Sequence, residues 1–396
     1  MRSQKSPPLI LQLLVLTLGR LCLNSGLRMV YPFLPELARG LAVPLTAATR
    51  LVSLRNFAGF VSPLLSPLSE RFGRRPILAG ALVLFGLGCF VVALWPAYWP
   101  LGFTLILVAL AKVTYDPAMQ AYLGDHVPYH QRGRAIAVTE LSWAGALLVG
   151  APVMGFIIQR QGWSAPFLWL GLAGLAVALW LWRVIPAQTG QRRHGNGLRA
   201  TLQVLAHHPV IWAAVLYTLL TMIANEMLFI VYGDWMETTF QLSLTSLGLA
   251  SGVIGGAEIL GEITAGWSVD RFGKRPVIVV TGLLNALMYL LIPHTEASLG
   301  GALAALFALF LLFEIAVVGS VPLLTELVPG ARSVVMSMNI AAAGLGRAAG
   351  SWLGPELWLR YGFPTLGLAS AAVMAVAILI LARWVREGGE GRDWEL

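Results

Sequence analysis

Apolar residues run along this chain in stretches of about 20, the length of helix that crosses a bilayer's hydrocarbon, separated by short polar breaks. The pattern predicts spans at residues 9–37, 46–66, 77–95, 101–126, 132–158, 163–184, 209–235, 245–266, 276–293, 299–326, 332–357 and 363–384. The one long hydrophilic stretch between spans is Gln188–Arg199, QTGQRRHGNGLR. It divides the chain into a six-span half (1–187), a linker (188–208) and a second six-span half (209–396). Arg2 and Lys5 followed by an apolar run resemble a secretory signal. Arg20 and Asn24 stand where the small residues of a cleavage site belong, so the run reads as the first span.

Composition supports lipid as the solvent. Of the 396 residues, 57% are hydrophobic and 12% charged, against about 25% charged in a soluble domain. The formal net charge is +8. A basic chain invites a nucleic-acid partner, but topology explains the charge better. With the N-terminus inside, 18 of the 27 Lys and Arg fall in cytoplasmic segments, three in outer loops and six within spans. The positive-inside rule then puts both termini and the linker in the cytoplasm, and no nucleic-acid partner is expected. Cys22 and Cys89 both lie in apolar runs, so no disulfide framework is expected. His126 and His130, four apart in a loop, read as solvated residues and not as a metal site. No phosphate-binding loop is present, so neither ATP-driven pumping nor a cofactor is expected.

The chain repeats at an offset of 200 residues. RFGRRP at Arg71–Pro76 returns as RFGKRP at Arg271–Pro276, and Arg132, Gly150 and Gly162 match Arg332, Gly350 and Gly362. The longer segments Ser66–Pro76 and Gly266–Pro276 resemble the signature of the major facilitator superfamily, Gly-x-x-x-Asp-Arg-x-Gly-Arg-Lys/Arg. The second copy fits throughout; the first has Ser66 for Gly and Glu70 for Asp. In span five, Gly145, Gly150, Pro152 and Gly155 are similar to the glycine-proline motif of the drug/proton antiporters, with Ala151 interposed before the proline.

That resemblance implies an all-α membrane protein with twelve transmembrane helices in two pseudo-symmetric six-helix bundles. It implies alternating access, and a cytoplasmic ion-pair cluster that closes the inner side. Carried onto this chain, the cluster takes Glu70, Arg71, Gly73, Arg74, Asp125 and Arg132 from the first half. The second half supplies Asp270, Arg271, Gly273, Lys274, Glu326 and Arg332.

Charges inside the spans are the candidate working groups, because one at mid-bilayer costs about 2.5–3.5 kcal/mol on insertion scales. Away from their cytoplasmic ends, where Arg183 and Arg383 fall, spans 3, 6, 9 and 12 carry none. In the family's fold those four face lipid, spans 1, 4, 7 and 10 line the cavity, and 2, 5, 8 and 11 join the halves. The expected substrate or proton cavity is therefore Arg20, Asn24, Arg28, Lys112, Asp116, Glu226 and Glu314. Arg55, Glu140, Glu258, Glu262 and Arg347 are the expected helix-interface charges; Arg50 also falls within span 2. Arg20, Asn24 and Arg28 are four apart, as are Lys112 and Asp116, and Glu258 and Glu262, so each set shares one helix face. Away from the span ends, the first-half charges (Arg20, Arg28, Arg50, Arg55, Lys112, Asp116 and Glu140) sum to +3 and the second-half charges (Glu226, Glu258, Glu262, Glu314 and Arg347) to −3.

The expected function is export of a small or amphiphilic molecule, driven by inward proton flow, by a monomer in the plasma membrane. A sugar or metabolite permease and a lysolipid carrier are the alternatives. A membrane-embedded enzyme is the reading from another class; it lacks a constellation such as His-Glu-x-x-His on any span.

Overall fold

The computed structural model describes residues 7–58, 71–186, 208–328 and 332–385. The linker Gln188–Arg199, Glu70 and Ser66 lie outside those residues. Among the described residues ten helices are long and apolar enough to cross a membrane. The last of them, Val334–Trp384, is two spans merged, because the chain turns at Gly362 with φ 79° and ψ 175°. The second span begins as the helix Leu45–Asn56 and runs toward residues outside the described set.

In chain order the first half consists of α1 (Leu9–Arg28), α2 (Val30–Gly40), α3 (Leu45–Asn56), α4 (Arg74–Leu94), α5 (Tyr98–His126), α6 (Tyr129–Gly145), α7 (Ala151–Gln161) and α8 (Ala165–Val184). The second has α9 (Pro209–Phe229), α10 (Tyr232–Phe240), α11 (Leu244–Phe272), α12 (Lys274–Leu291), α13 (Leu299–Glu326) and the segment Arg332–Trp384. The sequence repeat is also a backbone repeat. The left-handed glycines of the described residues are Gly73, Gly162, Gly273 and Gly362, two pairs 200 residues apart. Gly73 and Gly273 begin α4 and α12 with nearly the same dihedrals, and no other residue type readily adopts them.

Among the described residues three spans are interrupted. The first breaks at Met29, where Pro32 has no N–H for the carbonyl of Arg28 and its ring crowds that turn. The seventh breaks at Ile230–Val231. The fifth contains a π-helical turn at Ala146–Gly150, just before Pro152, between α6 and α7. The antiporter-like sequence GALLVGAPVMG therefore marks a real irregularity, of the kind often found at functional sites.

The chain divides into two compact units, Met1–His194 with Gln241–Gly255, and Gly195–Phe240 with Gly256–Leu396. In the first, Phe85 of α4 fills the space left by Gly26 of α1 and Gly174 of α8, where a Cβ would stand 2.7 Å from the ring at both glycines. The opening turns of α11 lie against the fifth span by backbone contact. A Cβ at Gly248 would come 2.6 Å from the carbonyl oxygen of Ala151, and one at Gly255 the same distance from that of Ala144. Such approach through small residues is how helices associate where burial alone gives no drive. In the second unit, Gly346, Gly350 and Gly354 bring the eleventh span onto α9 in the same way.

Leu87, Leu172, Leu179, Leu283, Leu287 and Leu379 leave spans 3, 6, 9 and 12 and are exposed. Apolar surface of this kind suits lipid, and these spans supply it.

Candidate functional site

The charged residues of the first unit converge on Arg20. Its Nε donates to Oδ1 of Asp116 at 3.1 Å and its Nη1 reaches Oε2 of Glu140 at 2.7 Å. The same Nη1 donates to the carbonyl of Thr139 at 3.1 Å. Lys112 closes the group from within α5, its Nζ 2.6 Å from Oδ2 of Asp116. Two cations and two carboxylates from three spans therefore form one network with no net charge. Arg20 is buried, whereas the Asp116 and Glu140 side chains keep 21% and 32% exposure. Asp116 has both carboxylate oxygens engaged by cations, and Glu140 is held by Arg20 through one.

The i, i+4 spacing in α1 lays out a column beside this network. One turn on from Arg20, Asn24 donates from Nδ2 to the Ser142 hydroxyl at 3.1 Å. One turn further, Arg28 donates to the carbonyl of Trp143 at 3.0 Å and lies over its indole, 4.2 Å from the centroid. Lys112 approaches the same ring at 5.5 Å. Below Arg20, the Tyr115 hydroxyl donates to the Leu16 carbonyl and the Tyr122 hydroxyl to Oε1 of Gln12. The structure brings Arg20, Lys112 and Asp116 into one network, with Asn24 and Arg28 in the column beside it. It adds Glu140, expected at a helix interface, to the same network. Thr139, Ser142 and Trp143 complete the contact surface; their signal was the polar run Thr-Glu-Leu-Ser-Trp at 139–143 inside an apolar span.

In the second unit the acids lie on α9, α11 and α13. Glu226 is buried in α9 and accepts from the Ser351 hydroxyl at 2.8 Å, and Ser351 also donates to the Arg347 carbonyl. Glu314 is buried in α13 with the Gly261 backbone packed on its side chain. Glu258 is buried and Glu262 and Arg347 are half-buried.

The signature loops form matching ion pairs. Arg74 reaches Asp125 at 3.5 Å, and Lys274 pairs with Glu326. The basic residue that follows each is held by the last span of its own half. Arg75 stacks on Trp182 at 4.2 Å, and Arg275 donates to the carbonyl of Ala382. The acids thus meet basic residues of the signature loop. Arg132 donates to the carbonyl of Val127 at 3.0 Å. Arg71, Asp270, Arg271 and Arg332 are exposed.

The sequence profile of the Major Facilitator Superfamily matches residues 16–233 and again 214–395. Over 380 residues the chain is 26% identical to an uncharacterized MFS-type transporter of Bacillus subtilis (strain 168), YwfA, covering 94% of this chain and 91% of that one. Among solved structures it resembles the xylose transporter XylE from E. coli in its inward-open conformation, with a TM-score of 0.77, 20% identity, and 96% and 97% of the two chains covered. A bacterial homolog to the human lysosomal transporter Spinster, inward-facing and occupied, gives 0.71 at 15% identity over 93% and 94%. At those identities the structural likeness carries the fold alone. With one profile match for each half, the chain belongs to the Major Facilitator Superfamily, as a secondary transporter of twelve transmembrane helices in two six-helix halves.

Proposed function

We propose that this transporter exports a small or amphiphilic molecule in exchange for protons entering the cell, and that the Arg20–Asp116–Glu140–Lys112 network couples the two flows. One observation carries the proposal: a single buried guanidinium bridges two partly exposed carboxylates on different spans. A carboxylate beside a cation stays charged, and takes a proton when the cation is drawn away. Arg20, on the first span, can exchange its carboxylate partners as the spans shift.

Asp116, in α5 one turn from Lys112, is one candidate for the proton carrier. The ion-pair geometry makes Glu140 the proposed proton carrier. A proton on Glu140 gives up one ion pair, whereas a proton on Asp116 gives up two. Asp116 then keeps Lys112 and Arg20 charged and in place. Arg28 over Trp143, with Asn24 and Ser142 beside it, offers an amphiphile a cation, an aromatic face and amide and hydroxyl groups. Glu226 and Glu314 are the proposed counterparts in the second half.

The test is uptake into everted vesicles across a panel of amphiphilic dyes, sugars and lysolipids, at several values of pH. Gradient-driven uptake of a dye, abolished by a protonophore and by Glu140→Gln, supports the proposal. Uptake of a sugar or lysolipid with no response to the gradient would replace it.

A further inference from the structure

Arg55 on α3 is buried in a membrane-spanning segment, 3% exposed, and among the described residues no carboxylate lies within ion-pair distance of it. Its contacts all fall on the first span. Nη1 donates to the carbonyl of Leu27 at 2.7 Å, Nη2 donates to the hydroxyl of Tyr31 at 3.1 Å, and the guanidinium lies 5.4 Å from the centre of the Tyr31 ring. Leu27 is in the last turn of α1 and Tyr31 in the first turn of α2. One side chain therefore joins the two sides of the break at Met29.

The chemistry of the break calls for such a group. Pro32 has no N–H for the Arg28 carbonyl and the first helix ends there, which leaves the Leu27 carbonyl among the last four of α1, where no further helical turn follows. Within a bilayer such carbonyls need partners, and a neighbouring helix can supply one. The end of α1 also carries the negative pole of its helix dipole, which a guanidinium offsets. A lysine has one ammonium at this position and cannot hold the Leu27 carbonyl and the Tyr31 hydroxyl in the fixed fork that guanidinium provides.

The second half has the break without the group. α1 ends at Arg28 and α9 at Phe229, an offset of 201 residues. Under that offset Tyr31 corresponds to Tyr232, whereas Arg55 corresponds to Gly256.

We infer that Arg55 is a positioning residue that fixes the bend of the first span, setting the angle of the outer piece α2 on the Arg20–Asn24–Arg28 column, and that it does not bind substrate. The seventh span has no guanidinium at the corresponding position, Gly256, so the two halves do not share this device.

Amide hydrogen exchange on the full-length protein in nanodiscs tests this without a transported ligand. Arg55→Ala and Arg55→Lys should each speed exchange of amides at residues 29–35 by about tenfold, the effect of losing hydrogen bonds from a charged group. Tyr31→Phe, which keeps the ring and the fold, should give a smaller increase over the same residues. Exchange in α4 and α8 should stay at the wild-type rate. Unchanged exchange at 29–35 in Arg55→Ala, or full protection in Arg55→Lys, would overturn the inference. So would protection in the wild type that rises with added sulfate at fixed ionic strength and loses that response in Arg55→Ala, since Arg55 would then serve an anion.

Discussion

Gly73 and Gly273 stand 200 residues apart and share one backbone conformation, φ 88° and ψ 159° in the first and φ 86° and ψ 156° in the second. Each starts the helix after a signature loop, and each is followed by a basic residue that pairs with an acid at the far end of the next span. Gly162 and Gly362 repeat the arrangement with φ 91° and 79°. Gly162 separates conformation from space, since a Cβ there would meet nothing within 4 Å. Gly162→Ala should therefore cost about 1–3 kcal/mol from backbone strain alone. Gly124→Ala, on a regular helix with the same open space, should leave stability unchanged or raise it. Thermal unfolding in detergent, followed by tryptophan fluorescence, measures both.

The ion pairs of the signature loops should act on conformation more than on stability. Asp125 and Glu326 keep 52% and 43% exposure, and pairs that wet contribute about 1 kcal/mol or less. Asp125→Arg should lower transport with little change in unfolding temperature, and Arg74→Glu added to it should restore flux in part. Flux that stays low in the double variant would assign Asp125 a different role.

The spans and the repeat were legible because they rest on period and composition, which are local. Lys112 with Asp116 was legible for the same reason: a spacing of four puts both on one face. Glu140 was not, since it meets Arg20 across 120 residues of chain and nothing local reports that approach. The pairing of Arg74 with Asp125 joins residues 51 apart and comes from the closing of α4 on α5. The break at Met29 could have been read from Pro32 and Pro35. That Arg55 spans it follows only from the packing of α3 on α1 and α2.

The 18-to-3 division of basic residues predicts the membrane orientation. A single cysteine at Ala97 should react with an impermeant maleimide from outside the cell, and one at Gly195 from inside only. Background should be low, because Cys89 is buried and Cys22 half-buried. Labelling of both from one side would overturn the topology.

Within the column of α1, Arg28→Ala should weaken apparent affinity for amphiphilic substrates and leave the maximal rate and its pH dependence near wild type. It donates to the Trp143 carbonyl and lies over that indole. Concentration dependence of dye uptake separates the two effects; a shifted pH profile with unchanged affinity would place Arg28 in the coupling path instead.

Proton movement tied to substrate movement is the central claim, and proteoliposomes loaded with a pH-sensing dye measure it directly. In the wild type, a transported amphiphile moving down its gradient should drive protons the opposite way. Glu140→Gln should abolish that signal while substrate-for-substrate exchange continues, and Asp116→Asn should impair both. Wild-type proton movement in Glu140→Gln and Asp116→Asn alike, or substrate flux in the wild type with no proton signal, would contradict it.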